Sequence, residues 1–144
     1  MVNRDLEMAK RLLKERALAF VVAQDGQVIR TSVGKGVVDL LALIDAAGPA
    51  LAGASLADKL VGKAVAAMVC HVGMRAVYTP VMSQPALDML QAWGVSLEYD
   101  ELVPMILTRD GKMRGPLEQL LLQVSDPSLA MAAVREFLQR QGME

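Results

Sequence analysis

Cysteine and histidine occur once each, side by side as Cys70-His71, and Phe, Tyr and Trp together make up only 3% of the chain. One cysteine cannot close an internal disulfide, which points to a reducing compartment. A catalytic zinc takes about three protein ligands, favouring His and Cys, and keeps a further position for water. One thiol and one imidazole fall short of that, and as helix neighbours they point about 100° apart. Asp, Lys, Arg or Pro interrupts every apolar stretch well before the roughly 20 residues needed to span a bilayer. Met1 to Glu7 carry no apolar segment of the signal-peptide kind, so the expectation is a cytoplasmic protein with no membrane partner. Basic residues do not cluster beyond Lys10-Arg11 and Lys14-Glu15-Arg16, and the formal charge is −1. With few aromatics to stack on bases, that balance argues against a nucleic-acid partner.

What the chain does have is apolar mass. Hydrophobic residues make up 53% of 144, charged residues 22%, and the mean hydropathy is +0.34. That places it among globular chains, whose apolar burial offsets chain entropy. One domain is expected over 1–144, with its core over about 5–124 and a C-terminal helix over 127–140. The apolar surplus fills that core and leaves surface for a homo-oligomer interface. The ten methionines are scattered, as fillers of core gaps are.

Leu6, Ala9, Leu12 and Leu13 recur at helical spacing and predict an amphipathic helix over Asp5–Arg16. Leu18–Gln24 and Gln27–Thr31 flank Asp25-Gly26, a pair suited to a type I′ turn, so a β-hairpin follows. Val37–Ile44 has helical length and ends at the breakers Gly48-Pro49. Ser55-Leu-Ala-Asp58 has capping-box spacing and predicts a helix from Ser55 to about Val72. Arg75–Met82 reads as a strand, with Pro80 suggesting a bulge or an end. Ser83 caps a helix ending at Gly94, Val95–Tyr99 is a short strand, and Val103–Leu107 is a strand or extended run. Asp110-Gly111 reads as a turn, Pro116–Val124 as a helix, and Asp126-Pro127 opens a last helix through Arg140. The order fits an α/β fold with a mixed sheet and helices on both faces.

Three blocks carry a resemblance: Ala57-Asp58-Lys59-Leu60-Val61-Gly62-Lys63-Ala64, Val81-Met82-Ser83-Gln84-Pro85-Ala86-Leu87, and Val103–Arg109 followed by Gly115-Pro116-Leu117-Glu118. They resemble an uncharacterised prokaryotic family assigned the cytidine-deaminase-like fold, over about Asp5 to Leu122. The resemblance implies a three-layer domain in which active deaminases hold zinc at the N-termini of two central helices. Where a deaminase reads Pro-Cys-x-x-Cys, this chain reads Pro85-Ala86-Leu87-Asp88-Met89. Where the resembled family carries Cys-Pro-Met-Glu, it reads Gly115-Pro116-Leu117-Glu118. The resemblance thus implies a pocket without a zinc motif; no metal and no cofactor are expected.

Lys59 and Lys63 share a helical face at i, i+4, next to a helix N-terminus whose dipole and free N–H groups favour anions. Equally, Asp58 caps its own helix and both lysines are solvated. Gly34-Lys35-Gly36 lies where a loop can cradle phosphate, or is an ordinary turn. Arg109 and Glu118 either pair or face a ligand. Cys70 and His71 read as a buried thiol and a helix-end imidazole. The leading expectation is a non-zinc domain binding a nucleotide or other compact anion through Lys59, Lys63, Ser83 and Arg109, with Glu118 nearby. Two alternatives stand: a metal-free enzyme using Asp58 and Lys59 for acid–base chemistry, and a structural or oligomerisation module.

Overall fold

The computed structural model describes residues 3–107 and 115–142. The proposed turn at Asp110-Gly111, and Thr108 and Arg109 before it, lie outside the described residues. The elements run α1 (Arg4–Glu15), β1 (Phe20–Gln24), β2 (Gln27–Ser32), α2 (Gly36–Ala47), a 3-10 turn (Gly48–Leu51), β3 (Ser55–Asp58), α3 (Lys63–Val72), β4 (Ala76–Ser83), α4 (Gln84–Ala92), β5 (Ser96–Val103), α5 (Pro116–Leu120) and α6 (Pro127–Arg140).

The strands form one mixed sheet in the order β2-β1-β3-β4-β5. β1 pairs antiparallel with both β2 and β3, whereas β3–β4 and β4–β5 are parallel. Each parallel step crosses over through a helix, α3 and then α4, as parallel neighbours require. Strand alternation sorts the core into two layers. Val21, Ala23, Ala57, Ala76 and Tyr78 meet Leu6, Ala9 and Leu13 of α1 on one face. Phe20, Val22, Leu56 and Val77 meet α2, α3, α4 and α6 on the other. The α/β class with helices on both faces is therefore observed.

Local chemistry explains several element ends. Asp25 and Gly26 have φ of 54° and 79°, as the type I′ turn demands. The carboxylate of Asp5 accepts from both of their N–H groups, at 3.0 and 2.8 Å, tying α1 to the hairpin. Asn3, Ser83 and Asp126 cap α1, α4 and α6 through their side-chain oxygens.

Four sequence expectations are corrected. Ser55 does not open a helix: Ser55–Asp58 is a fully buried central strand paired on both sides, and α3 starts only at Lys63. The spacing fits a cap, but the sheet partners decide, and the Ser55 hydroxyl accepts from Asn3 Nδ2 instead. β4 runs through Pro80 to Ser83. Proline is tolerated there because β3 has ended at Asp58, and pairing on that side resumes only at Val61, which bridges Met82. The expected strand at Val95–Tyr99 extends to Val103, and residues 104–106 carry no regular structure. α5 stops at Leu120, short of the expected Val124, and its C-cap is Leu121.

Candidate functional site

The site centres on the N-terminus of α3. Gly62, the N-cap residue, has no side chain with which to satisfy the first N–H groups of the helix. Glu118 of α5 does so from 55 residues away: its Oε1 accepts the Lys63 N–H at 2.8 Å. Its Oε2 accepts the Ile106 N–H at 2.9 Å. The carboxylate is only 3% exposed, and it sits at the positive end of the α3 dipole. Close approach favours glycine at position 62, because a Cβ there would stand 3.0 Å from Ile106 Cγ1 and 3.4 Å from Glu118 Oε1. The place that the sequence suggested for a ligand's anion is therefore held by a carboxylate of the chain itself.

Around this latch opens a cavity of about 580 Å³. Val37 and Val38 of α2 line it, with Ala64 and Val65 of α3. Leu117 of α5 and Phe137 of α6 complete the apolar wall. Lys35, just before α2, stands exposed on its lining, and Lys63 and Glu118 are its buried charged residues. A second cavity of about 350 Å³ lies between α4 and the segment after α5, lined by Pro85, Asp88, Met89 and Trp93 with Leu122 and Ser125. Lys63 belongs to both cavities. Its Nζ donates to the Leu122 carbonyl at 3.3 Å. Burial lowers its pKa below the ordinary lysine range, against the smaller opposing pull of Glu118 and Asp88.

The other expected site residues are dispersed. Lys59 is exposed on the segment between β3 and α3 and lines neither cavity. Ser83 is fully buried, and its hydroxyl accepts the Ala86 N–H at 3.3 Å as the cap of α4. Asp58 is buried at the end of β3, where its Oδ1 accepts the Leu60 N–H at 3.3 Å. Burial pushes its carboxyl up to about 7. Asp58, like Lys59, lines neither of these two cavities. Arg109 lies outside the described residues. Of the expected set, Lys63 and Glu118 come together.

Ala86 and Met89 offer no thiolate, Glu118 spends both oxygens on backbone donors, and among the described residues no three His, Cys, Asp or Glu side chains converge. Cys70 is at the far end of α3, its thiol pushed up to about 11 by burial, and His71 Nδ1 lies 3.3 Å from the Ser128 hydroxyl. Sequence reasoning missed the walls given by α2 and α6. Gly34-Lys35-Gly36 was the one signal for Lys35; Val38 and Phe137 carry none that separates a cavity wall from core.

Known proteins place this arrangement in context. The family model described as TM1506, domain of unknown function (DUF1893), matches residues 8–138. A crystal structure of a DUF1893 family protein (TM1506) from Thermotoga maritima is similar with a TM-score of 0.85 and 28% identity, over 94% of this chain and 91% of that one. An apo dCMP deaminase from the cyanophage S-TIM5 is similar with a TM-score of 0.54 and 14% identity, over 69% of this chain and 99% of that one. The second likeness concerns fold alone. No curated protein matches. Among the described residues no helix is long and apolar enough to cross a membrane.

Proposed function

Since this chain belongs to the DUF1893 family, whose function is unknown, its role has to be read from its own site, and we propose that it is a small-molecule-binding domain. The observation that carries the reading is the cavity of about 580 Å³ beside the Glu118 latch. Its size falls within the range of roughly 300–1,000 Å³ that suits small ligands, and its apolar walls with few polar groups match what such sites use.

The ligand proposed is compact, with an apolar body that rests against Val38, Val65, Leu117 and Phe137 and an anionic end that meets Lys35. A nucleotide belongs to that class, with its base as the body and its phosphate as the anion. Aromatic and branched aliphatic carboxylates belong to it as well. Glu118 shapes the cavity floor by fixing α3, Ile106 and α5 to one another. It does not contact the ligand's anion, which like charge would repel. No zinc-dependent step is part of the proposal, and Asp58 and Lys59 are given no chemistry, because they line neither of the two cavities.

Thermal-shift screening against nucleotides, phosphate, and aromatic and branched short-chain carboxylates tests the reading. A ligand at 100 times its dissociation constant adds about 2.7 kcal/mol to the native state. A stabilising hit should weaken in Lys35→Gln and vanish in Val38→Phe, which fills the cavity. Equal stabilisation of all three proteins would place the ligand elsewhere, and a silent panel would remove the basis for the proposal.

A further inference from the structure

Lys63 is an unusual lysine. It is 8% exposed and occupies the first position of α3, where the helix dipole disfavours a cation. Among the described residues its ammonium has no ion pair; the Leu122 carbonyl is its hydrogen-bond acceptor. Three charged groups neighbour it. Glu118, from α5, has both oxygens engaged by the N–H groups of Lys63 and Ile106. Asp88, from α4, shares the smaller cavity and accepts from Gln84 Nε2 at 2.8 Å. Lys35, before α2, shares the larger cavity and adds positive charge. Nothing in this set compensates a buried ammonium as an ion pair would. A buried lysine without an ion pair next to open space is the arrangement that makes an amine nucleophilic.

We propose that Lys63 captures small aldehydes or ketones as a reversible imine, in the wall shared by the two cavities. The amine lone pair attacks the carbonyl carbon, forming C–N as the C=O π bond breaks, and a proton passes from nitrogen to oxygen. The C–O bond of the resulting carbinolamine then breaks and its oxygen leaves as water. The nitrogen releases its remaining proton as C=N forms. Amine plus carbonyl gives imine plus water, with no oxidant or reductant. Asp88 and Ser125 line the same small cavity and would relay the proton that departing water needs. The inference rests on the cavity reading and narrows its ligand class to carbonyl compounds with a compact apolar body.

The test uses the whole chain near neutral pH with benzaldehyde and cyanoborohydride, which reduces an imine to a stable secondary amine. Peptide mass mapping then ranks the six lysines by labelling rate. Burial favours the neutral amine, so Lys63 should be labelled ahead of exposed Lys59. Its labelling should also reach half-maximum at lower pH. Labelling ordered by exposure, with Lys59 and Lys35 ahead of Lys63, overturns the proposal. Lys63→Arg should lose the fast site and Lys59→Arg should keep it; should the first not fold, the wild-type map alone decides. Benzoate, with the same body and no reactive carbonyl, is titrated in parallel. Benzoate binding without fast labelling at Lys63 defeats the inference and spares the cavity reading, whereas fast labelling without benzoate binding upholds the imine and removes the anionic end from the ligand class.

Discussion

Replacing Asp58 by Asn removes a charge for which the fold provides little support. The side chain is 5% exposed, and burial pushes its carboxyl up to about 7, against weaker opposing contributions from the Leu60 N–H and Lys59. In the unfolded chain the same group titrates at about 3.9. Between those values the folded protein holds a proton that the unfolded chain has released, so the linked stability is present below about pH 4 and is lost as pH rises toward 7. Three units at about 1.4 kcal/mol each set a ceiling of about 4 kcal/mol. Asn mimics the protonated acid in shape and still accepts from Leu60. Urea unfolding followed by far-UV circular dichroism, on wild type and Asp58→Asn at about pH 4.5, 6 and 8, isolates the effect because other titrating groups cancel in the difference. The two proteins should agree within about 1 kcal/mol at the acid end, with the variant gaining up to about 4 kcal/mol at the alkaline end. A variant less stable at pH 8, or a difference that ignores pH, would refute the reasoning and mean that the charged carboxylate is well accommodated.

The Glu118 latch makes its own predictions. Glu118→Gln keeps one acceptor oxygen for two N–H groups, one of them buried, and should cost about 1–3 kcal/mol in chemical denaturation, with Glu118→Ala costing more. Gly62→Ala places a Cβ 3.0 Å from Ile106 Cγ1 and should destabilise by about 1–3 kcal/mol, read as a lowered unfolding midpoint. Gly26→Ala meets a φ of 79° with open space around it, so strain alone should cost about 1–2 kcal/mol in the same assay. With its thiol pushed up to about 11, Cys70 should react with an aromatic disulfide at pH 8 at least tenfold more slowly than a free cysteine, and urea should abolish the difference.

Elements governed by neighbouring residues were legible in the sequence. Asp25-Gly26 dictates its turn through the two positive φ angles it tolerates, and Asp126-Pro127 and Ser83 mark helix starts through side-chain oxygens a few atoms away. Ser55–Asp58 was misread because its spacing also suits a capping box, and what makes it a strand is β1 on one side and β4 on the other. The site failed to show for the same reason. Glu118 reaches Lys63 across 55 residues, and no local pattern announces that contact. Val38 and Phe137 look like core residues until α2 and α6 are packed, and then they prove to face a void. Lys63 was legible as a candidate through its place beside a helix start. Its burial, which changes what it can do, was not.

The claim that this fold holds a ligand in the cavity beside Glu118 is tested most directly by methyl NMR during titration with a compact aromatic carboxylate. The account predicts shifts at Val37, Val38, Val65, Leu117 and Leu138, which line the cavity, and none at Leu6, Leu13 or Val21, which pack between α1 and the opposite face of the sheet. Shifts centred beneath α1, or a chain whose methyl signals stay unmoved by every carboxylate and nucleotide tried, would contradict it.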